Sequence, residues 1–196
     1  KRLIEINITC PNLVSGGNDN SFESFEKYMD RIKQHKLNHI VCGLKLSPFY
    51  ELNHFDIMTN LLLKYDVNFI SCINSIPNGL IIDPENETTQ IFPKNGLGGI
   101  GGNFIKPTAL ANVYNFSKRL NGQIDIIGCG GINNGDDVFE HILCGAKAVQ
   151  VGTELIRSGV KCFDKLNNEL SDIMNKKNYD KLNDFYGKLK VINEFV

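Results

Sequence analysis

Short apolar segments alternate with longer amphipathic segments along the chain. The short segments are bounded by Gly, Pro, Asn or Asp and predict strands near residues 3–8, 40–45, 69–74, 124–128 and 147–151. Apolar residues at helical spacing predict helices over about 22–36, 54–65, 107–120, 135–145 and 160–176, and a short helix near 180–188. Strands that alternate with helices in this way indicate a parallel sheet with right-handed crossover connections.

One long connection interrupts this alternation. Residues 80–83 and 89–92 are apolar segments on either side of a Pro-Glu-Asn turn, and they predict a hairpin. A glycine-rich segment follows, in which Gly96 to Gly101 matches the pattern G-x-G-x-x-G. A dinucleotide site requires that pattern to follow a strand and open a helix, so we interpret this match as a flexible loop. A connection of this length is typical of a binding role.

Two fold classes accommodate five βα units: an open flavodoxin-like sheet and the later part of an eight-stranded barrel. The chain begins without Met, directly in a strand pattern, which favours the barrel with its first strands missing. We therefore predict an α/β fold of the (β/α)8 TIM barrel type, with this chain covering about strands 4–8. Residues 1–196 are expected to form the carboxyl-terminal part of a single domain.

The composition excludes several classes of partner. Lys and Arg number 21 against 22 acidic residues, so the net charge of −1 offers no basic field to nucleic acid or to an anionic membrane. No apolar run approaches the roughly 18 residues that cross a bilayer. The six cysteines form no close pair, which favours a reducing compartment and excludes a Cys-x-x-Cys cluster. The four histidines lack metal-ligand spacing, so we expect no metal and place His35, His39, His54 and His141 at the surface or at helix caps.

Glycine-rich turns follow the last two predicted strands. Gly128, Gly130 and Gly131 end one strand before a helix opens near Gly135, and Gly152-Thr153 repeats the arrangement after the next strand. Glycines at such turns let backbone N–H groups approach an anion closely. Two turns in succession on the final strands predict the phosphate site of a (β/α)8 barrel, although the glycines alone are also compatible with simple tight turns.

A single thiol lies in the loop after the first strand. Cys10 stands between the amide residues Asn7 and Asn12, at the carboxyl end of the strand, where barrel enzymes place their catalytic groups. Cys10 is therefore a candidate catalytic residue. The alternative is a small buried hydrophobic residue, the commonest role of a free cysteine.

A lysine is predicted to point into the interior of the sheet. Strand alternation directs Leu44 and Leu46 toward the outer helices, and Gly43 and Lys45 inward. An inward ammonium needs a negative partner, which an anionic cofactor or the inward-facing Glu5 would supply.

The same alternation, applied to the next strand, places Ile70, Cys72 and Asn74 on its inward face. Asn74 and Ser75 then supply hydrogen-bond donors and acceptors at the mouth of the site. Amides at fixed positions suit a small planar substrate that both donates and accepts hydrogen bonds.

These segments together resemble the dihydroorotate dehydrogenase family, in its soluble class 1A branch that couples to fumarate. The segment from Asn7 to Asn12 is similar to the family's active-site loop, and Gly43 to Leu46 to its flavin-lysine strand. Asn74 to Ile76 and Asn78 to Leu80 resemble its substrate-amide loop. The stretch from Gly98 to Asn112 is especially similar to the class 1A form. The likeness runs in register along nearly the whole chain.

The resemblance implies an FMN-dependent oxidation of (S)-dihydroorotate to orotate in pyrimidine biosynthesis, with fumarate as terminal acceptor. It also implies a cytoplasmic homodimer that binds neither nucleic acid nor membrane. Cys10 would take a proton from C5 of dihydroorotate while hydride leaves C6 for flavin N5, and Lys45 would lie at the N1 and O2 edge of the flavin. The substrate would contact Asn7, Asn12, Asn74 and Ser75. The residues implied to bind FMN are Asn7, Lys45, Ile73, Gly102, Gly130, Gly131, Gly152 and Thr153.

The chain departs from the family pattern at three places. Pro77 replaces a usual glycine, Ser47 replaces a proline, and the segment from Leu13 to Asn20 lacks the usual proline-rich sequence. These departures concern loop closure and substrate affinity. Two other functions stay open on the residues alone: a lyase or isomerase barrel that binds phosphate and uses Lys45 as base or Schiff-base former, and a non-catalytic barrel fragment.

Overall fold

The computed structural model describes residues 2–8, 21–35 and 40–192. Cys10, Asn12, His39 and the segment from Leu13 to Asn20 lie outside the described residues. The strands within the described part are β1 (Arg2–Asn7), β2 (Ile40–Leu46), β3 (Phe69–Cys72), β4 (Ile76–Leu80), β5 (Ile82–Asp83), β6 (Thr88–Thr89), β7 (Leu97–Ile100), β8 (Asp125–Cys129) and β9 (Ala148–Gln150). The helices are α1 (Phe22–Gln34), α2 (Leu52–Lys64), α3 (Lys106–Leu120), α4 (Gly135–Cys144), α5 (Thr153–Ser158) and α6 (Lys161–Lys176).

Strands β1, β2, β3, β8 and β9 form one parallel sheet, in that order. All five match predicted strands, so the predicted parallel sheet is confirmed. A flavodoxin-like sheet has the strand order 2-1-3-4-5, which reverses direction after the first strand. The observed order follows the chain without a reversal, as it does in a (β/α)8 barrel. The open-sheet alternative is therefore wrong.

The helix predicted near 180–188 is wrong. The structure forms only one turn of 3-10 helix there, Leu182–Asp184. Beyond this turn the backbone amides of Gly187 and Leu189 donate to the carbonyls of Ile142 and Leu143 at the end of α4. Phe185 in this segment is fully buried and packs against residues of α4. The segment therefore packs against a neighbouring helix and does not form a helix of its own. Helix α5, which is only six residues long, was not predicted.

The long connection contains two antiparallel pairs. Strands β5 and β6 form the predicted hairpin, whose turn is held by Asp83 accepting from the backbone amides of Glu85 and Asn86. The glycine-rich segment is not a flexible loop, because its residues form β7, which pairs with β4. Helix α3 begins only at Lys106, so the G-x-G-x-x-G match lies on a strand and does not open an α-helix.

The β4–β7 pair has a glycine where the strands are in close contact and a proline where the pairing is irregular. Gly79 lies opposite Gly98, and a Cβ atom added at Gly79 would lie 2.2 Å from the Ile100 side chain. The register shifts between Ile76 and Gly79, and Pro77 occupies this irregular stretch. A residue without a backbone N–H is tolerated in a strand at such an irregularity.

The outer face of the main sheet carries the hydrophobic core. Leu44, Leu46, Ile70 and Cys72 are all essentially inaccessible to solvent and pack in one cluster with residues of α2 and α3. The predicted direction of Leu44 and Leu46 is confirmed. The inward direction predicted for Ile70 and Cys72 is wrong, because they pair in register with Leu44 and Leu46 and share their face.

The inner face of β3 instead carries Phe69 and Ser71. Ser71 lies opposite Lys45, and Phe69 lies opposite Gly43. A Cβ atom at Gly43 would lie 2.1 Å from the Phe69 ring, so the ring fills the space that a side chain on β2 would need. The prediction extended one alternation from Ile70 to Asn74, whereas β3 ends at Cys72 and the alternation does not continue beyond it.

The histidines divide between surface and core. His35 is exposed, as predicted, and His54 is half-buried with its ring edge against Phe22. The surface or cap position predicted for His141 is wrong, because His141 is completely buried. It lies next to Ile142 and three residues after Val138 on α4, and all three side chains face the interior.

A network of charged hydrogen bonds fixes the start of α4. Asn134 caps the helix in a reciprocal capping box with Asp137, which also accepts from Lys106 Nζ at 2.7 Å. Burial acts to raise the pKa of Asp137. Hydrogen bonds from Lys106 and from the backbone amides of Asn133 and Asn134 outweigh burial and hold that pKa below its usual range.

We predict that Asp137→Asn lowers the free energy of unfolding by about 1.5–3 kcal/mol at pH 7, because hydrogen bonds to a charged group are lost. Because folding lowers the pKa of Asp137, its carboxylate stabilises the folded protein at pH values above its unfolded-state pKa of about 3.9. This stabilisation is lost as the pH falls through the folded-state pKa. Urea unfolding of the wild type should therefore show a loss of stability below about pH 4 that the variant lacks.

Asp136→Asn is the matched control for this prediction. Asp136 is exposed in the same turn and should contribute less than about 1 kcal/mol through the helix dipole. If Asp136→Asn and Asp137→Asn lowered the free energy of unfolding equally, the role assigned to Asp137 would be contradicted.

Candidate functional site

The carboxyl ends of the inner strands surround a cavity of about 150 Å³. The cavity lies between the ends of β2, β8 and β9, the segment after β3 and the turn before α3. Its lining includes most of the predicted site residues, namely Lys45, Ile73, Asn74, Ser75, Gly102, Gly130, Gly131, Gly152 and Thr153. Residues predicted from separate segments of the sequence are thus brought together at one place.

Lys45 reaches into this cavity from β2. Its Nζ donates to Oε1 of Gln150 at 2.8 Å and to Sγ of Cys129 at 3.2 Å. Gln150 in turn donates through Nε2 to Oε2 of Glu5 at 2.7 Å. The inward direction of Lys45 is confirmed, and Gln150 connects the ammonium to the carboxylate that was predicted as its alternative partner.

Ser71 completes the polar layer of the inner face. Its buried hydroxyl donates to Oε2 of Glu5, which also receives the Gln150 amide. Sequence analysis missed Ser71, Cys129 and Gln150 as members of the site. The signal was present for Gln150, which is a polar residue between two valines in a predicted inner strand.

Two asparagines meet at the mouth of the site. Asn74 donates through Nδ2 to Oδ1 of Asn7 at 3.1 Å, and the Asn74 side chain accepts from the backbone amide of Ser75 at 3.0 Å. These contacts join the end of β1 to the segment after β3. The predicted substrate amides Asn7 and Asn74 therefore stand side by side, while Cys10 and Asn12 belong to the part of the chain that is not described.

Glycine conformations shape the opposite side of the cavity. Gly130 and Gly131 have φ values of +132° and +76°, which disfavour any residue with a side chain. A Cβ atom at Gly131 would also lie 2.4 Å from Cβ of Lys106. Gly102, with φ of +73°, faces Thr153 across the cavity, so the turns before α3, α4 and α5 converge there.

His141 supports the glycine turn from behind. Its Nε2 lies 3.1 Å from the carbonyl oxygen of Gly130, so the ring is a donor there and the carbonyl accepts. A Cβ atom at Gly128 would lie 2.4 Å from Nδ1 of the same ring, so glycine is required beneath it. Burial lowers the pKa of His141, which favours the neutral ring.

The described residues contain neither a candidate metal centre nor a membrane span. No cluster of three or more His, Cys, Asp or Glu side chains there is arranged to hold a metal ion. The helices in the described ranges are all too short or too polar to cross a bilayer.

The chain is similar in sequence to curated proteins named dihydroorotate dehydrogenase (fumarate). The chain is 50% identical over 193 residues to a probable dihydroorotate dehydrogenase A (fumarate) of Streptococcus pneumoniae, covering 97% of this chain and 60% of that protein. It is 47% identical over 189 residues to dihydroorotate dehydrogenase A (fumarate) of Lactococcus lactis subsp. cremoris, covering 96% of this chain and 60% of that protein. The chain thus spans about 60% of the length of these relatives.

The fold is that of a solved barrel enzyme. A ligand-free dihydroorotate dehydrogenase from Eimeria tenella superimposes with a TM-score of 0.77 over 95% of this chain and 55% of that one, at 22% identity. This likeness confirms the predicted (β/α)8 barrel architecture for the part that the chain covers. The family model for dihydroorotate dehydrogenase matches residues 1–174. Because this match spans most of the chain and the relatives are named dihydroorotate dehydrogenase A (fumarate), the chain belongs to the dihydroorotate dehydrogenase family, in its class 1A branch.

Proposed function

We propose that this protein oxidises (S)-dihydroorotate to orotate with FMN as hydride acceptor and fumarate as terminal acceptor, in pyrimidine biosynthesis. Family membership supports the reaction, and the names of the relatives support fumarate. The observation that carries the proposal is the position of Lys45, which shares one cavity with three glycine turns and with Asn74, whose side chain donates to Asn7.

The cavity lining fits a planar cofactor with a phosphate group. The glycines of the turns at Gly130-Gly131 and Gly152-Thr153 expose backbone at the cavity, which suits the close approach of a phosphate. Gly102 adjoins them, and the buried Ile73 also lines the cavity. In this arrangement Lys45 would hold the N1 and O2 edge of the ring, and FMN when bound supplies the hydride acceptor.

The amide pair suits the pyrimidine ring. Asn7 and Asn74 each offer a carbonyl oxygen and an NH2 group, which complement the alternating N–H and C=O groups of a dihydropyrimidine. The Ser75 hydroxyl and Asn12 are proposed as further contacts to the ring or its carboxylate. Their role is to hold C6 of the substrate toward the hydride acceptor and C5 toward the base.

Cys10 is proposed as that base. In the sequence it follows Asn7, the last residue of β1, by three positions. A thiol with a reference pKa of about 8.5 supplies a useful fraction of thiolate near neutral pH, and the thiolate takes the proton from C5. Serine in that position would need a further base to do the same.

We predict that Cys10→Ala slows reduction of the flavin by dihydroorotate by about 10²–10⁴-fold, because a positioned general base is removed. The wild-type rate should rise with pH toward about 8.5 as the thiolate is populated, and the variant should lose this rise. Stopped-flow absorbance measures both.

Cys42→Ala controls for the loss of a thiol elsewhere. Burial raises the pKa of Cys42, so it is a poor base, and its substitution should leave the rate and its pH profile unchanged. A Cys10→Ala enzyme with the wild-type rate would remove Cys10 from the mechanism.

We predict that Lys45→Met weakens FMN binding by about tenfold or more, since a charged hydrogen-bond donor is removed from the cavity. Quenching of FMN fluorescence during titration measures the dissociation constant. Lys176→Met, at an exposed position of α6, is the control and should bind FMN like the wild type. Equal affinity in all three proteins would show that Lys45 does not contact the cofactor.

The spectrum of the purified protein tests the proposal against a redox-independent barrel enzyme. A bound flavin gives a yellow protein whose absorbance is bleached by dihydroorotate and restored by fumarate. A colourless protein that does not take up FMN would contradict the proposal and favour lyase or isomerase chemistry at Lys45. Parallel assays with fumarate, quinone and NAD identify the terminal acceptor.

We further propose that the protein is a cytoplasmic homodimer, as the family resemblance implies. The long connection supports this, because Leu80, Ile81, Ile82 and Phe92 on it are between 51% and 99% exposed. Apolar side chains clustered on one such segment are typical of an interface.

We predict that Ile82→Asp converts a dimer to a monomer, because a carboxylate would be buried without a partner at the interface. Sedimentation velocity measures the change, with Ile156→Asp, on an exposed site of α5, as the control. A wild-type protein that sediments as a monomer would refute the homodimer.

A further inference from the structure

Gln150 occupies the central position of the inner polar layer. It is the last residue of β9, and its side chain lies between Lys45 of β2 and Glu5 of β1. The two contacts, at 2.8 Å and 2.7 Å, are of ordinary hydrogen-bond length. Three strands that are not all adjacent are therefore joined through one amide group.

The chemistry of its partners fixes the orientation of this amide. Lysine only donates hydrogen bonds and an ionised carboxylate only accepts them. Oε1 must therefore face Lys45, and Nε2 must face Glu5. The reversed amide would set donor against donor and acceptor against acceptor, so the contacts themselves determine which atom is oxygen.

The partners of Gln150 are themselves held in place. The Ser71 hydroxyl donates to Glu5 and lies 3.4 Å from Nε2 of Gln150, and Sγ of Cys129 accepts from Lys45. Cys129 pairs with Gln150 in the register of β8 and β9. The amide is thus fixed on its acceptor side and on its donor side.

We propose that Gln150 is a positioning residue, which holds the Lys45 ammonium in the cavity and connects it to Glu5 through a neutral group. This assignment rests on the proposed function in so far as Lys45 serves the cofactor. An amide between the two charges orients the lysine while keeping its positive field directed at the cavity. A carboxylate in the place of Gln150 would counter that field at short range.

Two substitutions of Gln150 have opposite consequences under this proposal. Gln150→Leu removes an acceptor that holds the Lys45 Nζ, so the lysine is freer to react. Gln150→Glu places a negative charge beside Lys45, so the lysine is held more strongly. A merely structural role predicts the same direction for both, because loosening the site exposes the lysine in either case.

The experiment measures acetylation of Lys45 by acetic anhydride, which reacts with neutral amines, using peptide mass spectrometry on the full-length protein as purified. Each rate is divided by that of the exposed Lys176 in the same sample. We expect acetylation to be on the order of tenfold faster in Gln150→Leu and roughly tenfold slower in Gln150→Glu than in the wild type. Glu5→Gln, which removes only the distant charge, should give a smaller acceleration.

Controls separate this effect from unfolding and from surface charge. Gln123→Leu and Gln123→Glu make the same changes at an exposed position and should leave Lys45 unaffected. Lys106, held by Asp137 and Glu140, reports on the fold, because unfolding would accelerate its acetylation as well. The assignment would be overturned if both Gln150 variants changed the acetylation rate of Lys45 in the same direction, or if neither variant changed it.

Addition of FMN distinguishes failure of this inference from failure of the proposed function. If FMN covers the cavity, it should protect Lys45 from acetylation in the wild type. If the two Gln150 variants change the acetylation rate of Lys45 in opposite directions but FMN does not protect Lys45, Gln150 remains the positioning residue and FMN is refuted as the occupant. Protection without opposite shifts would support the cofactor and refute the role of Gln150.

Discussion

The register between the parallel strands determines where the polar side chains of the candidate site lie. Asn7 lies opposite Lys45, Lys45 opposite Ser71, and Ser71 opposite Ile127, so one row of inner positions crosses four strands. Because side chains alternate between faces, a slip of one residue would turn Lys45 into the apolar core and bring Leu44 or Leu46 to the cavity face. The apolar layer against α2 and α3 opposes such a slip, and in doing so it positions the polar groups on the other face.

The site combines two kinds of rigidity. On one side, side chains from β1, β2, β3 and β9 are joined by hydrogen bonds into a polar layer. On the other, glycine turns bring backbone to the cavity, with positive φ values at Gly102, Gly130 and Gly131, and His141 supports one turn through the Gly130 carbonyl. The polar layer presents a cation to the cavity, and the glycine turns present backbone. This combination suits a ligand that has an electron-accepting ring and a phosphate.

Sequence patterns predicted the parts of this molecule that local rules control. The five inner strands, the inward Lys45 and the glycine turns follow from alternation and from the conformational freedom of glycine, and all were placed correctly. Three of the errors share one cause, which is tertiary contact. Phe185 packs beneath α4 and prevents the last predicted helix, and pairing with β4 converts a glycine-rich segment into a strand. The buried position of His141 depends on Gly128, on another element, and the pattern of α4 alone does not reveal it.

The close contact between Gly43 and the Phe69 ring couples two positions that are far apart in the sequence. Each fills the volume that the other leaves, so neither position varies independently. A larger residue at position 43 is compatible with the barrel only together with a smaller one at position 69, and the effects of the two changes on folding would not add. Among related chains, these two sites should therefore change as a pair.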